Sequence, residues 1–209
     1  MGLYEFGDVV LTGLCRCIFR YKVEGLENIP KDENFIVCCN HRSNLDPPFL
    51  GVCLPFKICY MAKEELFKNK LFAKLITTLG AFPIKRGKHD IAALKTALSL
   101  IKQGKRVAIF PEGGRSHDEH LRKGKTGAVM IAIKAGVNIL PVGIEGKYRL
   151  FGRIRTRIGK PIDLSGYFGT KPDSNELKRI TDEILMPEIG RLANMPTYEE
   201  YNKKLTSGE

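Results

Sequence analysis

Leu3, Phe6, Val10, Leu14, Cys17 and Tyr21 recur at steps of three and four. Glu5, Asp8, Thr12, Arg16 and Arg20 fall at the same steps on the other side. That spacing predicts an amphipathic helix over residues 2–21, either packed on the domain or lying in a membrane interface. Beyond the turn-rich stretch 25–33 the pattern changes to short apolar runs bounded by polar turns. Strands are predicted at Phe35–Cys39, Lys57–Met61, Ala81–Ile84, Arg106–Phe110, Val137–Ile144 (interrupted at Pro141) and Arg153–Ile158. Helical spacing is predicted between them. Asp46 caps a helix with Phe49–Leu54 behind it, and Glu64–Leu79 forms one or two helices. Further helices cover His89–Gln103, Lys125–Lys134, Asp173–Leu192 and Tyr198–Leu205. Strands alternating with helices predict a single α/β domain on a mostly parallel central sheet flanked by helices, behind the N-terminal amphipathic helix. Loops at the carboxyl ends of such strands are the expected location of a site.

Composition narrows this picture. The 209 residues are 43% hydrophobic and 27% charged, which excludes a disordered or collagen-like chain and allows a core without staples. No run of 18 apolar residues predicts a membrane-spanning helix. Six cysteines stand at 15, 17, 38, 39, 53 and 59, none in a Cys-x-x-Cys pair. No signal peptide is expected, so they are predicted to be reduced, core-filling thiols in the cytosol. No metal site is expected. The net charge of +11 favours anionic partners. The surplus reaches +16 over residues 57–160, so the basic field belongs to the middle of the chain.

Three strand exits carry capable chemistry. Asn40-His41-Arg42-Ser43-Asn44-Leu45-Asp46 follows a buried strand. Histidine suits proton transfer near neutral pH, and a carboxylate five positions on can fold back to fix its tautomer. The alternative is that Asp46 merely caps its helix and His41 merely satisfies a loop carbonyl. The second exit ends in Lys85 and Arg86, a pair able to hold phosphate or simply a solvated turn. The third is Phe110-Pro111-Glu112-Gly113-Gly114-Arg115-Ser116. Its glycines admit close backbone approach and an anion-binding nest, Glu112 can accept a substrate hydroxyl, and Arg115 can bind phosphate. Gly124-Lys125-Thr126 fails as a P-loop, because Glu119 stands where the first glycine is needed. His117-Asp118-Glu119-His120 is expected to face solvent. Lys147–Lys160 holds six basic and no acidic residues with Tyr148 and Phe151 interleaved, an RNA platform by pattern.

Taken in order, these blocks resemble the glycerolipid acyltransferase family, specifically its 1-acyl-glycerol-3-phosphate acyltransferases. The family's Asn-His-x-Ser-x-x-Asp is matched by Asn40–Asp46, and its apolar stretch ending in Arg by Gly80–Arg86. Its Phe-Pro-Glu-Gly-Thr-Arg-Ser is matched by Phe110–Ser116 with Gly114 in place of Thr, and its apolar-Pro-apolar strand by Leu140-Pro141-Val142. The amphipathic spacing leads to the expectation of a membrane-interface helix at 1–22, and the resemblance to that of an acyltransferase domain at 23–209. The resemblance implies direct acyl transfer from acyl-CoA or acyl-carrier protein to lysophosphatidic acid, without an acyl-enzyme or a cofactor. His41 is then the general base and Asp46 its support, while Lys85, Arg86 and Arg115 hold the phosphate. The amphipathic stretch, the basic middle and a bilayer-borne acceptor lead to the expectation of a peripheral or monotopic place on the cytoplasmic face of the cell membrane, with an anionic lipid surface and no nucleic acid as partner. Glycerol-3-phosphate or another lysolipid is the competing acceptor.

Overall fold

A computed structural model describes residues 13, 15, 18–84 and 91–207. Most of the expected helix over 2–21, and the basic pair Lys85 and Arg86, lie outside the described residues. Gly13, Cys15 and Ile18 are helical. No helix among the described residues is long and apolar enough to cross a membrane.

Seven strands make one sheet: β1 (Arg20–Glu24), β2 (Phe35–Cys39), β3 (Ile58–Lys63), β4 (Ala81–Ile84), β5 (Arg106–Ile109), β6 (Asn138–Gly146) and β7 (Arg153–Ile158). Their order is β1-β7-β6-β2-β5-β3-β4. All neighbours pair in parallel except β6 with β7. The helices are α1 (Asp46–Cys53), α2 (Lys70–Thr78), α3 (Ile91–Lys102), α4 (Gly127–Ala135), α5 (Ser174–Arg179), α6 (Met186–Ala193) and α7 (Tyr198–Ser207). Both sheet faces are covered, as a parallel sheet requires. On β2, Ile36 and Cys38 face a core shared with α3, α4 and α6. Phe35, Val37 and Cys39 face the opposite core with α1 and Ile76 of α2. This strand lies at the centre of the sheet, so the loop leaving it is held by the most buried part of the fold.

Four local expectations are corrected. The N-terminal helix was expected to reach residue 21, but β1 begins at Arg20 and pairs with β7 from Arg20↔Arg153 onward. Arg20-Tyr21-Lys22-Val23-Glu24 alternates polar and apolar residues, which is strand periodicity, and Tyr21 packs on Phe49 at 5.5 Å. Asp46 is the first helical residue and not the cap, which is Leu45. Pro141 does not interrupt β6. Its carbonyl accepts from Gly159 just before the β7 pairing starts at Val142, so the missing N–H lies beyond that ladder. The helix predicted over 173–192 opens into a π-helical segment at Ile180–Leu185. Pro187 follows directly and has no N–H for the preceding turn, a sufficient cause of the widening.

The five described cysteines are free and buried. Burial raises each thiol, Cys53 to about 12, so none is a ready nucleophile.

Candidate active site

His41 follows β2 and Asp46 opens α1. Their side chains meet at 2.9 Å, Nδ1 to Oδ2. The same Oδ2 accepts from the backbone amides of Arg42 at 2.6 Å and Ser43 at 2.7 Å. The helix start therefore faces back over its own loop, and Asp46 serves His41 instead of capping. A carboxylate oxygen opposite Nδ1 fixes the proton there and leaves Nε2 free as a base. Phe110 stacks on the imidazole at 4.4 Å and closes one face of it. Asn40 is buried and exchanges two hydrogen bonds with the backbone of Ile144, at 2.9 and 2.7 Å. They hold the end of β2 against β6.

Glu112, expected to meet a substrate hydroxyl, is 2% exposed with both oxygens taken. Oε1 accepts from the His41 amide at 2.7 Å and Oε2 from the Arg122 amide at 2.8 Å. It braces the His41 backbone. Burial pushes its pKa up, and the two backbone hydrogen bonds oppose that rise. Ser116 N–H donates to the His41 carbonyl at 2.7 Å, so the third exit clamps the first. The nest expected from the glycine pair loses a donor, because the Gly113 amide donates to the Phe110 carbonyl at 2.9 Å.

His41 and both glycines line a cavity of about 650 Å³. Met61, Ile84, Leu94, Ile109, Met130 and Ile131 make much of its wall apolar. A volume of this size suits a small-molecule ligand, and its lining suits a hydrocarbon chain. Lys125 lies on the same wall. Gly113, in the left-handed region at φ 64°, has no side chain, and the Lys125 Nζ lies 2.6 Å from where its Cβ would stand. Arg122 crosses Gly114 in the same way at 2.7 Å. The glycines thus make room for two cations from the segment that fails as a P-loop. The sequence signal was available: three cations, Arg122, Lys123 and Lys125, within four positions. Arg115 is exposed and does not line the cavity.

Within the basic stretch 147–160, two of the three arginines expected on one strand face are engaged inside the fold. Arg157 binds Glu145 at 2.7 Å and the Leu192 carbonyl at 2.7 Å, and Arg155 lies 3.8 Å from both Glu24 and Glu145. Tyr148 packs on Phe49 and Phe19, and burial followed by the charge of Asp46 keeps its phenol neutral. In the His117–His120 run, His120 Nδ1 lies 2.8 Å from the Leu121 carbonyl and its ring stands against Tyr201.

The chain as a whole is similar to known proteins. The acyltransferase family model matches residues 20–145. A 1-acyl-sn-glycerol-3-phosphate acyltransferase of Bacillus subtilis (strain 168) is 36% identical over 199 residues, covering 92% of this chain and 98% of the relative. One from Streptococcus pneumoniae is 35% identical over 174 residues, covering 79% of this chain and 61% of the relative. The crystal structure of the 1-acyl-sn-glycerophosphate (LPA) acyltransferase PlsC from Thermotoga maritima superposes with a TM-score of 0.68 at 32% identity. It covers 90% of this chain and 77% of that one.

Proposed function

The chain belongs to the acyltransferase family and is an O-acyltransferase, and from that premise we propose the reaction it performs. It moves an acyl chain from an acyl thioester, acyl-CoA or acyl-carrier protein, to the 2-hydroxyl of 1-acyl-glycerol-3-phosphate, giving phosphatidic acid. The observation that carries this reading is the His41–Asp46 pair at 2.9 Å on the wall of an apolar cavity.

His41 Nε2 takes the proton of the glycerol hydroxyl as its oxygen attacks the thioester carbonyl. Asp46 stabilises the imidazolium that forms. The tetrahedral intermediate collapses, the thiolate leaves, and the imidazolium returns the proton to sulfur. Protons and electrons balance with no further cofactor. The apolar wall takes the acyl chain. Lys125 joins the expected pair Lys85 and Arg86 as cations for the acceptor phosphate, a role that Arg115, outside the cavity, does not share.

The test is an acceptor panel with purified protein: lysophosphatidic acid, glycerol-3-phosphate and a zwitterionic lysolipid, each with both donors. Preferred acylation of lysophosphatidic acid is the expected result. Preferred acylation of glycerol-3-phosphate or of the zwitterionic lysolipid would contradict the acceptor assignment.

A further inference from the structure

Tyr148 lies in the turn between β6 and β7 and does not line the cavity beside His41. β6 runs parallel beside β2, from Phe35↔Asn138 to Cys39↔Val142, so this turn leaves the sheet at the same edge as the His41 loop. The hydrogen bonds between Asn40 and Ile144 tie the two strand ends together. The turn itself is pinned. The Phe151 amide donates to the Ile18 carbonyl at 2.8 Å, the Gly152 amide to the Arg149 carbonyl at 2.7 Å, and the Arg20 amide to the Gly152 carbonyl at 3.0 Å. Phe151 is held at φ 54°, a costly conformation for an aromatic residue.

The Tyr148 ring meets Phe49 edge-on at 5.4 Å and Phe19 at 5.6 Å. Phe49 stands three positions after Asp46, hence on the same side of α1. The packing therefore carries the phenol to the start of that helix. Its oxygen is buried and makes no hydrogen bond of ordinary distance and angle. A buried hydroxyl left in that state costs stability, and few native side chains accept the cost. Asp46 stands beside it. After burial itself, the charge of that carboxylate and its pull on the hydroxyl proton raise the phenol's pKa. The neutral phenol is a donor. The imidazole and the two amides that bind Asp46 all meet Oδ2, so Oδ1 is the oxygen with room for another donor. A small rotation of ring or carboxylate closes the contact.

We propose that Tyr148 is a positioning residue of the His41–Asp46 pair, its hydroxyl donating to the Asp46 carboxylate. The proposal rests on the acyl-transfer reading above. A carboxylate anchored at both oxygens cannot turn away from the imidazole. The added donor also draws charge from the carboxylate, which limits how tightly the imidazolium holds the proton that it must return to sulfur. The other titratable groups facing the pair are Glu112 on the His41 amide, Arg122 at its second oxygen, Cys39 on β2 and Cys53 on α1. Burial holds both thiols neutral, and Glu112 is common to the proteins compared below.

The test is Tyr148→Phe, which keeps the ring and its packing and removes only the hydroxyl. With lysophosphatidic acid as acceptor, kcat is expected to fall about threefold to tenfold with KM nearly unchanged. The acid limb of the kcat/KM profile against pH should move up by about half a unit, as the imidazolium holds its proton more tightly. A merely structural tyrosine would leave that limb in place. Urea unfolding adds a readout that needs no activity. Tyr148→Phe is expected to lower the urea midpoint of the wild type, and to lower that of Asp46→Asn less, since a neutral amide accepts a weaker hydrogen bond. An unmoved acid limb, or equal midpoint shifts in both backgrounds, would overturn the proposal. So would a raised midpoint, the mark of an unpartnered hydroxyl removed. If the wild type acylates no acceptor while the midpoint shifts differ as expected, the proposed reaction fails and the bond between Tyr148 and Asp46 stands.

Discussion

Three residues at the site do work that their identities alone do not announce. Asp46 reads from sequence either as the support of His41 or as a helix cap, and its Oδ2 gathers one imidazole nitrogen and two backbone amides. The two prolines that follow bring no N–H groups to the helix start, so little competes for that oxygen. Glu112 reads as a substrate contact and is instead a buried brace, because its partner amides lie 71 and 10 residues away in sequence. No local pattern encodes such a bond. Glu112→Gln sets an NH2 group against one of two N–H donors, and a loss of about 1–3 kcal/mol in unfolding free energy is expected. A pH signature goes with it. The folded chain holds the Glu112 proton more tightly than the unfolded chain does. This residue's contribution to stability therefore falls as pH rises through the window above the ordinary carboxylate range. Urea unfolding between about pH 4 and 7 should show that fall in the wild type and a flatter profile in the variant. Lys125 had no role by motif. Its place across Gly113 predicts that Lys125→Ala raises the KM for lysophosphatidic acid about tenfold to a hundredfold, with kcat nearly unchanged. Initial rates against acceptor concentration check this.

At the scale of elements, strands with an unambiguous apolar run or alternation were the most legible. Phe35–Cys39, Ala81–Ile84 and Arg153–Ile158 have the expected bounds, since a continuous apolar run or a strict alternation leaves one reading. β1 was obscured because Tyr21 also continues the helical spacing from Cys17. The π-helical segment was not legible, because its cause combines Pro187 with tertiary packing. That packing reaches the site. A Cβ on Gly124 would stand 2.7 Å from Thr181 Cγ2 and 2.6 Å from Met186 Cγ, at the two ends of the widened segment. Gly124 is thereby seated beside Lys125, whose own amide donates to the Pro111 carbonyl at 2.8 Å. Gly124→Ala is expected to cost about 1–3 kcal/mol of stability, read as a lower urea midpoint. It should also weaken lysophosphatidic acid binding, as Lys125 is displaced.

Across the whole molecule, the surplus charge and the apolar cavity meet at the wall that carries Lys125. The +16 over residues 57–160 is partly consumed in folding, where Arg155 and Arg157 engage Glu24 and Glu145. What remains beside the site is Lys125 and Arg122, which lie across Gly113 and Gly114. The sequence showed a basic middle but not which cations would be neutralised, since those partners come from distant strands. The cavity was equally illegible, as its walls come from five separate strands and helices. The central claim joins this architecture to one atom, Nε2 of His41. The most direct test is phosphatidic acid formation from lysophosphatidic acid and an acyl thioester by wild-type and His41→Ala protein of equal thermal stability. The variant is expected to lose about 100- to 10,000-fold in rate. Transfer by the variant at a rate near that of the wild type would contradict the account.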